Sequence, residues 1–262
     1  CQSDFFHGAE PLRGHYNVNE DSGPTRSWVV LQPARKTFTR SFADSRLPGA
    51  LMQTVQQPEL LLFDLGGVII EVDTTGLKAL GEKGKSDIDL WETWLTCEAV
   101  QLYESGKVSE AEFARGVLDA FASAMPADEF LRSFTAWPTG LYPGAAELLR
   151  ALRKHYKLAY LSNSNALHYP RFQKEWQIDS FFDYHFASFK MGYVKPHADI
   201  FRAVLEVLPF EAEQIFFVDD NRLNVEMARS LGMRAEFVRG IEELKAILTT
   251  AGILTDASRG ES

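Results

Sequence analysis

Cysteine is scarce in this sequence, which has only Cys1 and Cys97 among its 262 residues. Two cysteines cannot build the disulfide framework of a small secreted protein, so we expect a reducing compartment and a cytoplasmic location. Long apolar runs are lacking as well, since no stretch reaches the eighteen residues that a membrane-spanning helix needs. We therefore expect no membrane partner.

The sequence has fewer basic than acidic residues. The 27 lysines and arginines are outnumbered by 36 aspartates and glutamates, which gives a formal net charge of −9. Proteins that bind nucleic acid generally need a basic face that displaces counterions, so no nucleic-acid partner is expected. A local basic pocket for a small phosphate is still compatible with this balance. The chain is long enough for one large α/β domain or a core with an accessory domain, and none of these numbers indicates an oligomeric state.

The first 57 residues have no sustained apolar period. Four prolines interrupt them, and polar clusters such as 17–24 lie between the prolines. This composition predicts a disordered tail over 1–57. Met52 stands just before the first clear strand, and our hypothesis is that it is the natural start, with the preceding residues as translated upstream sequence.

Three short apolar runs, each followed by polar residues, are typical of strands buried on both faces of a parallel sheet. Leu60 to Phe63 is followed by Asp64, Leu158 to Leu161 by Ser162-Asn163, and Ile215 to Val218 by Asp219-Asp220. Stripes of apolar residues at helical spacing lie between these runs, over 145–152 and 200–208, and a further helix is expected over 221–231, after the last run. The alternation from 138 onward predicts a doubly wound, three-layer α/β fold.

The span 74–137 contains no strand-like run. Ser109 and Glu112 form a capping box that opens one helix, and Trp91 and Trp94 indicate another. We therefore expect a small all-helical domain inserted after the first strand of the sheet. The predicted boundaries are a core of 58–73 and 138–250, a helical cap of 74–137 and a frayed C-terminus of 251–262.

Polar side chains near the strand ends have the chemistry of metal and phosphate binding. The candidates are Asp64, Ser162, Lys195, Asp219 and Asp220. If their strands are neighbours in one parallel sheet, these side chains meet at its carboxyl edge. Carboxylates supply the hard oxygen ligands of Mg²⁺, and a hydroxyl and a lysine can hold phosphoryl oxygens. The set predicts a Mg²⁺-dependent site for phosphoryl transfer.

Four ordered segments resemble the motifs of the haloacid dehalogenase-like (HAD) hydrolase superfamily. They are Phe63-Asp64-Leu65-Gly66-Gly67-Val68, Leu161-Ser162-Asn163-Ser164-Asn165, Gly192-Tyr193-Val194-Lys195-Pro196 and Phe217-Val218-Asp219-Asp220-Asn221. The resemblance covers about 58–250 and implies a Rossmann-like core, with an insert similar to the helical cap that sets specificity in one subfamily. Within the superfamily, the chain looks most like sugar phosphatases of the α-glucose-1-phosphate type and the N-terminal phosphatase domain of soluble epoxide hydrolase.

The resemblance implies a role for each matching residue. Asp64 would be the nucleophile that forms an aspartyl-phosphate, and Ser162, Asn163 and Lys195 would bind the phosphoryl group. Lys195 would also act in catalysis by offsetting the charge of Asp64. Asn224 would support a metal ligand rather than bind the metal. The implied Mg²⁺ ligands are Asp64, the backbone carbonyl of Gly66, Asp219 and Asp220.

Gly66 departs from the family pattern, because most phosphatases of the family have there a second Asp that protonates the leaving group. General acid–base catalysis is worth roughly 10²–10⁴-fold, so its loss need not abolish activity. The departure favours leaving groups that need less protonation, such as the anomeric oxygen of a sugar 1-phosphate. His168 could supply a proton if its helix points it inward.

The expected function is therefore a Mg²⁺-dependent phosphatase of a small phosphorylated metabolite, such as a sugar phosphate, bound between core and cap. A 2-haloacid dehalogenase is one alternative, since such enzymes also lack the second Asp. They need no metal, however, and Asp219-Asp220 resembles a metal-binding pair. The other alternative is a catalytically weak domain that binds phosphorylated ligands or a protein partner, because of Gly66.

Overall fold

The computed structural model describes residues 57–81 and 86–254. The predicted tail therefore lies outside the described residues except for Gln57, and so does the proposed start at Met52. Across the described ranges, no helix is both long and apolar enough to cross a membrane.

The strands of the described residues form two sheets. They are β1 (Leu60–Phe63), β2 (Ile70–Val72), β3 (Pro138–Leu141), β4 (Lys157–Ser162), β5 (Tyr184–Ala187), β6 (Ile215–Asp219) and β7 (Arg234–Phe237). Five of them form a parallel sheet in the order β5-β4-β1-β6-β7, and β2 pairs with β3 in an antiparallel ribbon. The central position of β1 places its carboxyl end where the strand order reverses, which is where ligands bind in open α/β sheets.

Eleven α-helices accompany these strands in the described part of the chain. They are α1 (Thr75–Leu80), α2 (Asp87–Thr96), α3 (Glu98–Glu104), α4 (Glu110–Ala120), α5 (Ala127–Thr135), α6 (Ala145–Arg153), α7 (Tyr169–Lys174), α8 (Ser188–Met191), α9 (Ala198–Val207), α10 (Arg222–Ser230) and α11 (Gly240–Thr250). Short 3₁₀ turns occur at Ile178–Phe181 and Ala212–Gln214.

Successive side chains of β1 enter two different cores, because side chains alternate between the faces of a strand. Leu61 and Phe63 join the cluster that contains apolar residues of α6 and α11. Leu60 and Leu62 join the cluster that contains those of α9 and α10. Helices therefore cover both faces of the sheet, and the predicted doubly wound three-layer fold is confirmed.

Helices α1 to α5 lie between β2 and β3 and share a third core, rich in aromatic side chains. The rings of Tyr103 and Phe113 stack with centroids 4.2 Å apart, and Trp94 lies 4.8 Å from Trp137. We call this helical segment the cap. The chain enters and leaves it through the two paired strands of the β2–β3 ribbon.

The strands that sequence analysis missed are short or partly exposed. β2 and β3 have three and four residues, and β5 and β7 are the edges of the parallel sheet. None presents a continuous buried run, so the pattern that identified β1, β4 and β6 is missing.

The frayed C-terminus predicted over 251–262 is corrected for its first four residues. Ile253 and Leu254 bury their side chains in the core that contains α11. The amides of both residues donate to the carbonyl oxygen of Leu248. Two buried apolar side chains with paired amides hold this segment against the core.

The capping box at the start of α4 is confirmed and generates a stability prediction. Ser109 accepts a hydrogen bond from the Glu112 amide, and the Glu112 carboxylate accepts one from the Ser109 amide. Ser109→Ala should lower the free energy of unfolding by about 1 kcal/mol, because the Glu112 amide loses its partner. Urea unfolding measures the loss, with Ser109→Thr as the control that keeps the acceptor. Equal losses in both variants would contradict the prediction.

Candidate active site

Three strand ends deliver polar side chains to one place. Asp64 directly follows β1, Ser162 closes β4 and Asp219 closes β6, and all three residues are buried. Because β1 pairs in parallel with both β4 and β6, side chains that are far apart in the chain meet at one edge. This part of the predicted arrangement is therefore present in the structure.

The amine of Lys195 lies between two aspartates. Its Nζ atom is 2.6 Å from Oδ2 of Asp219 and 3.0 Å from Oδ1 of Asp64, and it donates to the Leu161 carbonyl oxygen at 2.8 Å. Three acceptors match the three hydrogens of an ammonium group. Burial alone would lower the pKa of Lys195, but the charges of Asp219 and Asp64 raise it above its usual value. The lysine is therefore held in its charged form.

The loop after β4 positions Lys195. The Asn163 side chain accepts a hydrogen bond from the Lys195 amide at 2.8 Å and donates to the Lys195 carbonyl oxygen at 3.0 Å. The Ser162 hydroxyl has one long contact, 3.4 Å from the Asn163 carbonyl oxygen, so it can readily donate to a better acceptor. Binding of phosphoryl oxygens by Ser162 and Asn163 stays a prediction.

Asp219 is fixed from the side of α10 as well. Its Oδ1 atom accepts hydrogen bonds from the Asn221 amide at 2.8 Å and from the Asn224 side chain at 2.9 Å. Asn221 also caps α10 by accepting from the Leu223 amide. Asn224 thus contacts a candidate metal ligand, and its implied supporting role stays a prediction.

Three carboxylates offer a site for a divalent cation. Ligand oxygens of Asp64, Asp219 and Asp220 lie within 4.8 Å of one another. With Lys195 as the neighbouring positive charge, the four side chains together carry a formal charge of −2 when the carboxylates are ionised. Hard oxygen donors and an excess of two negative charges fit Mg²⁺. Coordination by the Gly66 carbonyl stays a prediction.

The pKa values of the clustered aspartates reflect their burial and their closeness to one another. Burial raises the pKa of Asp64 well above its usual range, against the charge of Lys195, and the charges of Asp219 and Asp220 add to the rise. Burial and the charge of Asp219 raise the pKa of Asp220 to about 6. Like charges in a desolvated site disfavour ionisation, and a bound cation reverses this effect.

Gly67 allows Asp220 to approach the turn after β1. Its backbone is left-handed, with φ of +71°, and a Cβ atom there would lie 2.2 Å from Oδ2 of Asp220. A side chain at this position would therefore be strained and would displace a candidate metal ligand.

Comparisons with known proteins give the family. A model of the haloacid dehalogenase-like hydrolases matches residues 58–232. The chain belongs to the haloacid dehalogenase-like hydrolase family. The predicted resemblance is confirmed, and so is the expectation of a hydrolase.

Two relatives of similar sequence are named as phosphatases. A D-ribitol-5-phosphate phosphatase of Bacteroides thetaiotaomicron is 25% identical over 180 residues, which cover 66% of this chain and 87% of that protein. A sesquiterpene phosphatase of Aspergillus oryzae is 30% identical over 188 residues, which cover 66% and 85%. The structure of a HAD family enzyme from Bacteroides thetaiotaomicron, in complex with magnesium and inorganic phosphate, is 24% identical with a TM-score of 0.58, and the match covers 70% of this chain and 94% of that one.

His168 is buried in this HAD chain, but its ring nitrogens are already engaged. Nε2 lies 2.7 Å from the carbonyl oxygen of Phe134 in the cap, so Nε2 carries the proton. Nδ1 accepts from the Asn165 side chain at 3.1 Å. Burial lowers the pKa of His168 to about 4. The ring therefore links core and cap in its neutral form, and the condition for its use as a proton source is not met.

Sequence analysis missed Glu104, the last residue of α3. Its carbonyl oxygen accepts a hydrogen bond from the Ser188 hydroxyl at 2.6 Å. Burial raises the pKa of the Glu104 carboxyl group to about 7, against the charge of Lys195. Its position depends on how the cap docks on the core, for which the sequence carries no local signal. Two cavities of the described residues, of about 490 and 530 Å³, are lined by residues outside this site.

The close approach of Asp220 to Gly67 generates a prediction for cation binding. Gly67→Ala should weaken Mg²⁺ binding by at least about tenfold, because the new methyl group displaces Asp220. Gly192→Ala is the matched control, since Gly192 has φ of +80° and open space around its Cβ position. Isothermal titration with Mg²⁺ measures both variants. A similar loss in both would assign the effect to backbone strain.

The buried neutral His168 generates a prediction for acid stability. Between about pH 6.5 and about pH 4 the imidazole of His168 takes up a proton in the unfolded chain but not in the folded protein. The free energy of unfolding therefore falls by on the order of 3 kcal/mol as the pH is lowered through this range. His168→Gln should remove this part of the pH dependence while keeping a donor for the Phe134 carbonyl. Unfolding free energies of both proteins across this pH range provide the measurement. Parallel curves would show that His168 contributes no such effect.

Proposed function

We propose that this chain is a Mg²⁺-dependent phosphatase that acts on a small phosphorylated metabolite through an aspartyl-phosphate on Asp64. The observation that carries the proposal is the cluster of Asp64, Asp219 and Asp220 around the buried amine of Lys195. It supplies a nucleophile, ligands for a cation and a fixed positive charge at one strand edge. Phosphoryl transfer needs positioning and charge neutralisation of this kind.

The hydrogen bonds of Asp64 support its role as nucleophile. Its Oδ1 atom takes both contacts, from the Leu65 amide at 2.7 Å and from Lys195 at 3.0 Å. These contacts orient the carboxylate and leave Oδ2 for the substrate or a cation. Attack on phosphorus forms the aspartyl-phosphate and releases the alcohol, and water later cleaves the acyl phosphate.

The remaining site residues neutralise negative charge and orient the reacting groups. Mg²⁺, when bound to the aspartates, supplies charge neutralisation to them and to the phosphoryl oxygens. Lys195 offsets negative charge beside Asp64, and Asn163 holds the backbone of Lys195. In this proposal the Ser162 hydroxyl, whose contact with the Asn163 carbonyl oxygen is long, donates to a phosphoryl oxygen. The magnesium and phosphate bound in the related HAD structure support this assignment.

A sugar phosphate is the substrate class that we propose, with a sugar 1-phosphate as the first candidate. The ribitol-phosphate relative supports a polyol phosphate, while the sesquiterpene relative shows that phosphatases of similar sequence serve unlike substrates. We propose the anomeric position because Gly66 stands where most phosphatases of the family have the acid. A hemiacetal oxygen needs less protonation to leave than the oxygen of a simple alcohol. The cytoplasmic location likewise stays a prediction.

The experiment is phosphate release by the full chain across sugar, polyol, acyl, aryl and nucleotide phosphates, with and without Mg²⁺. We expect Mg²⁺-dependent release that Asp64→Asn lowers by at least about 10³-fold. Asp199→Asn on the exposed face of α9 is the matched control and should keep the activity. Release from no phosphate, with Mg²⁺ bound, would overturn the proposal and favour the haloacid or binding-domain alternatives.

A further inference from the structure

Two arginines lie over one aromatic ring at the carboxyl end of β7. The guanidinium carbon of Arg222 is 4.3 Å from the centroid of the Phe237 ring, and that of Arg239 is 5.2 Å from the same centroid. We call these two exposed residues the arginine pair. The face of an aromatic ring attracts a cation without accepting its N–H groups, so each guanidinium still has five donors for an anion.

No carboxylate neutralises the arginine pair in the described part of the chain. Within residues 57–81 and 86–254, neither guanidinium group forms an ion pair or a hydrogen bond. Two acidic neighbours in the chain bind elsewhere, since Glu236 pairs with Arg229 at 3.0 Å and Glu243 accepts from the Arg239 amide at 2.8 Å. Two like charges without a counterion are a favourable place for an anion.

The sheet holds the arginine pair beside the aspartate cluster. Phe237, two residues before Arg239, is the register partner of Asp219 on β6. Directly after Arg239, the Gly240 amide donates to the carbonyl oxygen of Gly67, in the turn after β1, at 2.7 Å. Since β7 is two strands away from β1, the two strands are about 10 Å apart. The span from the end of β1 to the arginine pair is therefore that of a small phosphorylated sugar.

The cap is fastened to the other half of this sheet edge. The loops after β4 and β5 hold it, through bonds from His168 to the Phe134 carbonyl oxygen at 2.7 Å and from Ser188 to that of Glu104 at 2.6 Å. Among the described residues, no hydrogen bond joins α1 to α5 with the loops after β6 and β7. Asp220, which follows β6, is partly exposed, whereas the other two aspartates are buried. The more exposed side of the cluster is therefore the side of the arginine pair.

We propose that Arg222 and Arg239 bind a second anionic group of the substrate, an inference that rests on the proposed phosphatase function. The substrate would then be a phosphorylated sugar that carries a second phosphate or a carboxylate at its far end. With the reacting phosphoryl group at Asp64, this far end faces the arginine pair. Guanidinium groups suit both kinds of anion, because their N–H donors match the spacing of phosphate and carboxylate oxygens.

The other role open to the arginine pair is to offset the charge of the aspartates. Burial and the charge of Asp219 raise the pKa of Asp220, and the charge of Arg239 opposes this rise. An offset of this kind would affect every phosphorylated substrate alike. A subsite for a second anion affects only those substrates that carry one, and this difference is what the test measures.

The test compares the best monophosphate of the panel with analogues that carry a phosphate or a carboxylate at the far end of the same molecule. For glucose 1-phosphate these are glucose 1,6-bisphosphate and glucuronic acid 1-phosphate. The full chain is assayed at a fixed concentration of free Mg²⁺, because a bisphosphate also binds the metal. We expect kcat/KM to be at least about tenfold higher for one of the two analogues than for the monophosphate, through a lower KM. The better analogue identifies the second group.

Substitutions connect this preference to the arginine pair. Arg222→Gln and Arg239→Gln should each lower the ratio of kcat/KM between the better analogue and the monophosphate, and the double variant should lower it by about tenfold or more. Arg202→Gln on the exposed face of α9 is the matched control, because it removes the same charge. It should leave the ratio unchanged.

Four outcomes would overturn the inference and leave the phosphatase proposal intact. They are a chain that prefers the monophosphate, a preference that survives in the double variant, equal losses on monophosphate and analogue, and an equal loss of preference in Arg202→Gln. Equal losses would assign the arginine pair to charge offset, and a loss in the control would assign the preference to overall charge. Failure of the unchanged chain on every phosphate would remove the proposed function itself and this inference with it.

Discussion

A buried ammonium group requires acceptors, and Lys195 obtains them from three strands of the sheet. Asp64 follows β1, the Leu161 carbonyl belongs to β4 and Asp219 closes β6. A buried charge without such partners would destabilise the fold by several kcal/mol. The order of the strands and the chemistry of the site are therefore mutually dependent, since the sheet brings the acceptors together and the lysine joins them.

The excess of negative charge at this edge of the sheet favours the binding of a cation. One ammonium group cannot neutralise three carboxylates, and burial raises the pKa values of Asp64 and Asp220. Gly67 permits the close approach of Asp220 and offers no side chain to relieve the crowding. Active sites often sacrifice local stability for function in this way.

Sequence analysis identified the features that depend on a single continuous segment of the chain. The strands β1, β4 and β6 are buried runs, and the polar residues at their ends follow from their position. The ribbon and the edge strands are too short or too exposed to produce such a pattern. The contacts of His168 with Phe134 and of the Glu104 carbonyl with Ser188 depend on how the cap packs on the core, and no local spacing encodes them.

The β2–β3 ribbon also has a mechanical consequence. Both passages of the chain between core and cap are strands of the same antiparallel pair, extended at its ends by bonds from the Asp73 amide to Trp137 and from the Tyr142 amide to Ile69. Paired strands can bend together, but sliding by one residue would break their ladder and turn every side chain to the opposite face. The paired strands therefore limit movement of the cap relative to the core to bending of the ribbon as one unit, with its register kept.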